Sequence, residues 1–154
     1  SNIGLYYAQP LTEKNVKVKL SDVSVKDWKT VGMPAEAANA IDGDPQTVWT
    51  AKALTPLVVD MGKASEVIGF SYAPAQKEDL TGTIYKYNFY VSIDGKNWTK
   101  CDASGEFSNI MHNPVPYFVR FGKKYPARYF KLEPAAEINN KPATTVGEVG
   151  ILLK

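Results

Sequence analysis

Apolar and polar residues alternate over short stretches of this chain, which is the pattern of strands that bury one face. The clearest stretch runs from Ile84 to Ile93. Its apolar face carries Tyr85, Tyr87, Phe89, Val91 and Ile93. Asp94-Gly95 follows, and an Asp-Gly pair at such a place is typical of a tight hairpin turn. We therefore expect a return strand that begins near Trp98.

The same pattern predicts further strands along the chain. They are residues 16–20, 57–62 and 67–73, a hairpin pair at 117–121 and 128–132, and a closing strand at 147–153. Ala35 to Ala40 is long enough for one or two helical turns, and no longer helical pattern occurs. Trp49 and Trp98 lie at strand boundaries, where we expect them to join the core. About eight short strands without a long helix predict an all-β sandwich.

Size and composition narrow the class of protein. The 154 residues suggest one domain over residues 1–154, in which Ser1-Asn2 resembles a cloning scar. A net charge of +2 leaves no basic excess for a nucleic-acid backbone, and no apolar run is long enough to cross a membrane. The single cysteine, Cys101, and the single histidine, His112, exclude an internal disulfide and a Cys-rich zinc site. Nothing near either residue indicates a nucleophile and its base, so we expect no enzyme.

An acidic turn within residues 39–49 holds the richest cluster of oxygen ligands in the sequence. Asp42 and Asp44 flank Gly43, and the hydroxyl of Thr47 follows. Calcium prefers this mixture of carboxylate, carbonyl and hydroxyl oxygens. The alternative is an ordinary Asp-rich turn without a metal, because acidic residues are common in turns. The local pattern leaves both interpretations open.

Several segments resemble, in order, the motifs of the discoidin family, also known as the coagulation factor V/VIII type C domain. They are A-I-D-G-D-P-x-T-x-W at 40–49, P-L-V-V-D-M-G at 56–62, F-S-Y-A-P at 70–74, Y-V-S-I-D-G-K-N-W at 90–98, A-R-Y-F-K-L at 127–132 and G-E-V-G-I at 147–151. Bacterial members are family 32 carbohydrate-binding modules. Residues 105–114 are similar to copies appended to secreted α-L-fucosidases of family 29 and β-hexosaminidases (chitobiases) of family 20. The resemblance implies a discoidin-like jelly-roll β-sandwich with two sheets and one structural calcium ion.

By this resemblance the calcium ligands fall on six residues. They are the carbonyl of Asn39, the carboxylate of Asp42, the carbonyl of Asp44, Thr47, the carbonyl of Gly147 and the carboxylate of Glu148. Glu148 would supply the distant acidic ligand that the turn itself lacks.

The sugar site that the resemblance implies lacks its usual residues. Galactose-binding members hold the sugar hydroxyls with a histidine and an arginine and stack an aromatic ring on the sugar. Residues 50–56 contain no histidine, Ala75 stands at the arginine position, and residues 139–144 contain no aromatic ring. Our candidates are therefore other polar or aromatic residues outside the strands: Trp28, Lys52, Gln76, Asp79, Asn109, His112 and Asn113. The alternatives are a core position for Trp28 and simple solvation for the others.

The function that the resemblance implies is non-catalytic. We expect a carbohydrate-binding module of a secreted, periplasmic or cell-surface bacterial glycosidase, monomeric and working beside the catalytic domain of that enzyme. It would bind terminal galactose, N-acetylhexosamine or fucose, without nucleic-acid binding or membrane insertion. The alternative is a structural or protein-contact domain of the same parent enzyme, with a sugar site that no longer binds.

Overall fold

Antiparallel strands are the main regular structure of residues 18–154, the part of the chain that this computed structural model describes. They are β1 (Lys29–Thr30), β2 (Trp49–Ala51), β3 (Leu57–Ala73), β4 (Ile84–Ser92), β5 (Thr99–Lys100), β6 (Tyr117–Glu137), β7 (Thr144–Val146) and β8 (Glu148–Leu152). A 3₁₀ helix, Ala35–Ile41, lies where the helical turns are predicted. No helix within residues 18–154 combines the length and hydropathy needed to span a bilayer. The all-β prediction is confirmed.

Two long strands, β3 and β6, run through both layers of the sandwich. Residues 57–60 of β3 pair with residues 129–132 of β6, and after a register shift the rest of β3 pairs with residues 117–127. Gly62 lies at this shift with φ +86°, a left-handed conformation that glycine adopts without strain. The first layer has the strand order β1-β3-β6-β4-β5 and contains the first part of β3 and the last part of β6. In the second layer, the second part of β3 pairs with β8 and with the first part of β6.

Aromatic side chains fill the space between the two layers. Phe70 of β3 stacks on Phe89 of β4 with ring centroids 4.1 Å apart. Phe107 stacks on Tyr72 at 4.9 Å and on Tyr87 at 4.5 Å. All five side chains are at most 2% exposed. Since stabilisation rises with the apolar area removed from water, these large rings are a main source of cohesion between the layers.

Five connecting segments gather at one end of the sandwich, which we call the loop end. They are residues 42–48, 52–56, 74–83, 104–116 and 138–143. Hydrogen bonds hold them in place: the hydroxyl of Thr144, the first residue of β7, donates to the carbonyl of Ala53 at 2.8 Å, and the Gln76 amide donates to the carbonyl of Pro114 at 3.3 Å. The fold therefore brings loops from distant parts of the sequence to one surface.

Three strand predictions need correction. Residues 117–121 and 128–132 do not pair with each other, because both belong to β6 and pair with β3. Residues 57–62 and 67–73 belong to the single strand β3. Residues 16–17 lie outside the described part of the chain, and residues 18–20 are not in a strand. The carbonyl of Leu20 nevertheless accepts a hydrogen bond from Ser71 Oγ at 2.6 Å.

The predicted alternation in β4 is confirmed in the middle of the strand and wrong at its ends. Tyr87, Phe89 and Val91 are buried as predicted. Tyr85 is only half-buried, because a register shift around Lys86 interrupts the alternation. Ile93 follows the last strand residue and is 53% exposed. The hairpin itself is confirmed, since β5 returns and pairs with β4.

Candidate functional site

The acidic turn after the 3₁₀ helix meets the first residue of β8. The N–H of Gly43 donates to Glu148 Oε2 at 2.8 Å. The hydroxyl of Thr47 contacts the carboxylate of Asp42 and lies 3.3 Å from the carbonyl of Asn39. It also lies 2.9 Å from the carbonyl oxygen of Asp44. The tertiary structure thus brings five of the six predicted calcium ligands together.

The sixth predicted ligand, Gly147, directly precedes Glu148 and is held close to the end of β3. Its N–H donates to the carbonyl of Ala73 at 2.8 Å. A Cβ at this position would lie 2.9 Å from the carbonyl oxygens of both Ala73 and Pro74. Only glycine fits this close approach, so the position of Glu148 beside the acidic turn depends on it.

Glu148 is a buried carboxyl group with an unpartnered oxygen. The residue is 2% exposed, and among the described residues nothing hydrogen-bonds to its Oε1. The pKa of Glu148 is raised to about 8, mainly by burial and also by the carboxylates of Asp42 and Asp44, while the hydrogen bond from the N–H of Gly43 opposes the rise. A buried polar atom without a partner is costly. A hard cation would satisfy this oxygen, so the donors present fit calcium.

Most of the oxygens in this cluster are not carboxylates. The Asp44 carboxylate accepts the N–H of Gln46 at 2.9 Å instead of joining the cluster. Within residues 18–154, no three His, Cys, Asp or Glu side chains are placed to hold one metal ion. Asp42 and Glu148 are therefore the two acidic donors, and carbonyls and a hydroxyl would have to complete the coordination.

A cleft of about 390 Å³ opens elsewhere at the loop end. Its lining consists of Tyr85, Asn109, Ile110, Met111, His112 and Ile138. Asn109 has φ +65°, and its carbonyl accepts the N–H groups of His112 at 3.1 Å and Asn113 at 2.9 Å. This tight turn holds the Asn109 and His112 side chains at the cleft beside the half-buried ring of Tyr85. Two predicted sugar-binding residues therefore line one cavity, with an aromatic ring that the prediction missed.

The other polar candidates lie at the loop end but outside this cleft. Lys52 is exposed in the β2–β3 connection. The carboxylate of Asp79 accepts the N–H of Thr81 at 2.9 Å, and hydrogen bonding to Thr81 lowers the pKa of Asp79. The side-chain amide of Gln76 donates to the carbonyl of Pro114, and Asn113 is exposed. The four residues share the loop end and do not form one pocket.

The tryptophans are placed differently from two of our expectations. Trp28 is 7% exposed and packs edge-on against Phe130 with ring centroids 5.4 Å apart, so it is a core residue and offers no free face to a sugar. Trp98 directly precedes β5, is half-buried and is not in the core. Trp49 is 2% exposed, as predicted. The role of Trp28 as a stacking platform therefore does not fit its position.

Glu137 is an important residue of the loop end that the sequence analysis missed. Its Oε1 accepts the N–H groups of Asn139 at 2.6 Å and Lys141 at 2.9 Å, and its Oε2 accepts that of Gly82 at 2.9 Å. The residue is 2% exposed. One buried carboxylate thus joins the β3–β4 and β6–β7 connections. No local motif marks it, since its partners become neighbours only in the folded chain.

Known proteins match most of the chain. The model of the F5/8 type C domain family matches residues 19–149. A structure from Bacteroides ovatus, described as a candidate α-L-fucosidase, is 35% identical and superposes with a TM-score of 0.68. It covers 97% of this chain and 22% of its own.

A second solved structure is the module CpGH89CBM32-5 of Clostridium perfringens, in complex with GalNAc-β-1,3-galactose. It has a TM-score of 0.72 at 22% identity and covers 85% of this chain and 99% of its own. Such neighbours are jelly-roll sandwiches, so the predicted architecture is confirmed. Galactose oxidase of Gibberella zeae is 29% identical over an alignment of 143 residues that covers 85% of this chain. The chain spans about a fifth (20%) of the length of that curated relative.

Proposed function

The chain belongs to the F5/8 type C (discoidin) domain family, and on that basis we propose that it binds terminal sugars of glycans without catalysing a reaction. The family membership also agrees with the motif resemblance in the sequence. Sugars have both hydroxyl groups and an apolar ring face, so a binding site needs polar donors beside an aromatic or aliphatic surface.

The cleft between Tyr85 and His112 is the observation that carries this proposal. Within about 390 Å³ it combines an aromatic ring with the amide of Asn109 and the imidazole of His112. The thioether of Met111 and the side chain of Ile138 add apolar surface. Asn109 can donate and accept hydrogen bonds, as can a neutral His112, which suits sugar hydroxyls. The cleft is open to solvent, so we expect weak binding, with a Kd of about 1 mM.

The family and its structural neighbours indicate which sugars to test as ligands. The Clostridium module binds a GalNAc-galactose disaccharide, so galactose and N-acetylgalactosamine are the first sugars to test. Fucose follows, because of the similarity to the Bacteroides protein. We propose that the module is secreted, periplasmic or on the cell surface as part of a bacterial glycosidase. It would raise the effective concentration of that enzyme at glycan ends.

A multivalent glycan array followed by calorimetry tests this proposal. Tyr85→Leu and His112→Ala should abolish binding to the selected sugar, because they remove the ring and a donor of the cleft. Lys52→Ala is the control, since it alters an exposed loop-end residue outside the cleft. If the folded wild-type protein binds no glycan on the array, the proposal of sugar binding is rejected. Loss in Lys52→Ala alone would reject this cleft as its site.

We also propose that a calcium ion is bound by Asp42, Glu148 and the neighbouring carbonyls and hydroxyl. The support is the unpartnered buried oxygen of Glu148 beside a second carboxylate. The role would be structural. At a calcium concentration 100 times its Kd, binding to the folded state alone raises the free energy of unfolding by about 2.7 kcal/mol.

Thermal unfolding in calcium and in EDTA tests this second proposal. Calcium should raise the midpoint of the wild type and of Asp79→Asn, the matched control in another acidic turn of the loop end. It should leave Asp42→Asn unchanged, because that variant removes one of the two acidic donors. Equal midpoints of the wild type in calcium and EDTA would exclude the site.

A further inference from the structure

The first layer of the sandwich has an outward surface that lies away from the loop-end cleft. Residues directly opposite each other in antiparallel strands point to the same side of a sheet. We call this outward side of the layer the outer face. The strand register places on it two rows of residues that run across neighbouring strands, and one further pair of opposite residues. The rows are Lys29, Asp60, Tyr129 and Ser92, then Val58, Lys131, Tyr90 and Lys100, and the pair is Glu133 with Asn88.

A lysine between two aromatic rings lies at the centre of the outer face. The Nζ of Lys131 is 4.8 Å from the ring centroid of Tyr90 and 4.6 Å from that of Trp98. All three side chains are half-buried. Rings on both sides restrict this amine to a small region while leaving its charge in place. The arrangement is more ordered than that of a solvated surface lysine.

The negative charges of the outer face are already engaged. Glu133 Oε1 accepts hydrogen bonds from Asn88 Nδ2 at 3.0 Å and Tyr90 OH at 3.3 Å. The carboxylate of Asp60 accepts two hydrogen bonds from Arg128, at 2.9 and 3.1 Å. Among the described residues, Lys131 forms no ion pair with a carboxylate. The central amine is therefore free to bind an external anion.

Lys29 and Lys100 add positive charge to the same surface. Both are exposed. Together with Lys131 they give the face three lysines, while the carboxylate of Asp60 is paired with Arg128 and that of Glu133 accepts hydrogen bonds from Asn88 and Tyr90.

From this geometry we propose that the outer face binds an acidic polysaccharide. A carboxylate or sulfate ester of the polysaccharide would accept hydrogen bonds from Lys131, and its sugar rings would lie against Trp98 and Tyr90. Both anions share the chemistry of a delocalised negative charge with several acceptor oxygens. The surface of a sheet suits an extended polysaccharide. Side chains on one side of a strand recur about every 7 Å, so several of them can contact successive parts of the ligand.

The composition of the face disfavours a hydrophobic protein contact. The strongly exposed large apolar residues of the described chain are Val18, Val31, Leu54, Ile93, Met111, Val115 and Phe118. None of them belongs to the outer face. Tyr90 and Trp98 are aromatic, but the group between them is a charged lysine, and lysine is depleted in the cores of protein interfaces. This inference is independent of the proposed sugar cleft, which lies at the loop end.

Affinity electrophoresis and fluorescence titration test the proposal. The protein should bind polygalacturonate, a carboxylate chain, or dextran sulfate, a sulfate chain, and should not bind neutral galactan by this face. Comparison of the two acidic polymers identifies the preferred anion. Lys131→Gln should weaken binding about tenfold, since a hydrogen bond to a charged group contributes that order of affinity. Lys63→Gln is the matched control, because it removes one charge from an exposed residue at the bend of β3.

Intrinsic fluorescence gives a second readout. Trp28 and Trp49 are buried, so the emission change on binding should come from Trp98 and should disappear in Trp98→Phe. Tyr85→Leu, in the loop-end cleft, should bind acidic polymers normally. The proposal is overturned by any of three results: no binding to either acidic polymer at low salt, an equal loss in Lys63→Gln and Lys131→Gln, or an unchanged emission response in Trp98→Phe.

Discussion

Replacing Glu137 by glutamine should loosen the loop end, although the two side chains have nearly the same shape. The carboxylate accepts three backbone N–H groups, from Gly82, Asn139 and Lys141, at 2.6 to 2.9 Å. Both of its oxygens are used, and the residue is 2% exposed. Water therefore has little access to replace a lost acceptor.

The expected size of the effect follows from the number of acceptors. Glutamine has one acceptor oxygen, and its amide nitrogen is a donor. In one orientation the amide nitrogen faces the N–H of Gly82, and in the other it faces those of Asn139 and Lys141. A buried donor left without a partner costs about 1–3 kcal/mol, and the remaining hydrogen bonds lose their charge assistance. We expect Glu137→Gln to lower the free energy of unfolding by about 2–4 kcal/mol.

Urea and thermal unfolding, followed by circular dichroism, measure this loss. A destabilisation of that size corresponds to a fall of roughly 5–15 °C in Tm for a chain of this length. Glu133→Gln is the control, because Glu133 is half-buried and accepts side-chain hydrogen bonds on the outer face. It should cost less than about 1 kcal/mol. The reasoning is refuted if the two variants lose equal stability, or if Glu137→Gln loses less than about 0.5 kcal/mol.

Two further predictions concern single titratable groups. Hydrogen bonding to Arg128 lowers the pKa of Asp60, so its contribution to stability is present above the unfolded pKa and is lost as the pH falls through the folded value. Asp60→Asn should therefore destabilise the protein at neutral pH, and the difference in the free energy of unfolding should shrink as the pH falls from the unfolded pKa through the lower folded pKa; a difference that stays constant over that acidic range would contradict this. Burial raises the pKa of the Cys101 thiol to about 12, and the charge of Asp102 adds to the rise. Ellman's reagent at mildly alkaline pH should react with Cys101 far more slowly in the native than in the urea-unfolded protein, and equal rates would show that the thiol is accessible.

Some features were predictable because they depend on neighbours in the sequence. The hairpin between β4 and β5 follows from alternation and the Asp94-Gly95 turn, and both are local. The acidic turn is likewise encoded within a few residues, and Asp42 binds the N–H of Asp44 at 2.9 Å within it. Glu148 was placed beside this turn by family resemblance alone, since 105 residues separate it from Gly43.

Other features depended on which surfaces meet in space. The sequence around Trp28 shows no strand pattern, and that around Trp98 suggests a core position, yet Trp28 is the buried one of the two. The alternation of apolar and polar residues predicts which side chains share a face of a strand. It does not predict which face another part of the protein will bury. The same limit explains the error in β6. A bent strand that passes through both layers has the same local pattern as two strands of a hairpin.

The sequence by itself determined that the chain forms a β-sandwich, where its clearest hairpin turns, and that an acidic turn presents oxygen ligands. The periodicity of apolar residues and the residue preferences of turns involve only a few neighbouring positions, so both can be recognised in the amino-acid sequence. Only the tertiary structure decided that Glu137 joins two loops, that Tyr85 faces Asn109 and His112, and that Lys131 lies between two rings. These arrangements arise from long-range strand pairing and packing, which place residues together that are distant in the sequence.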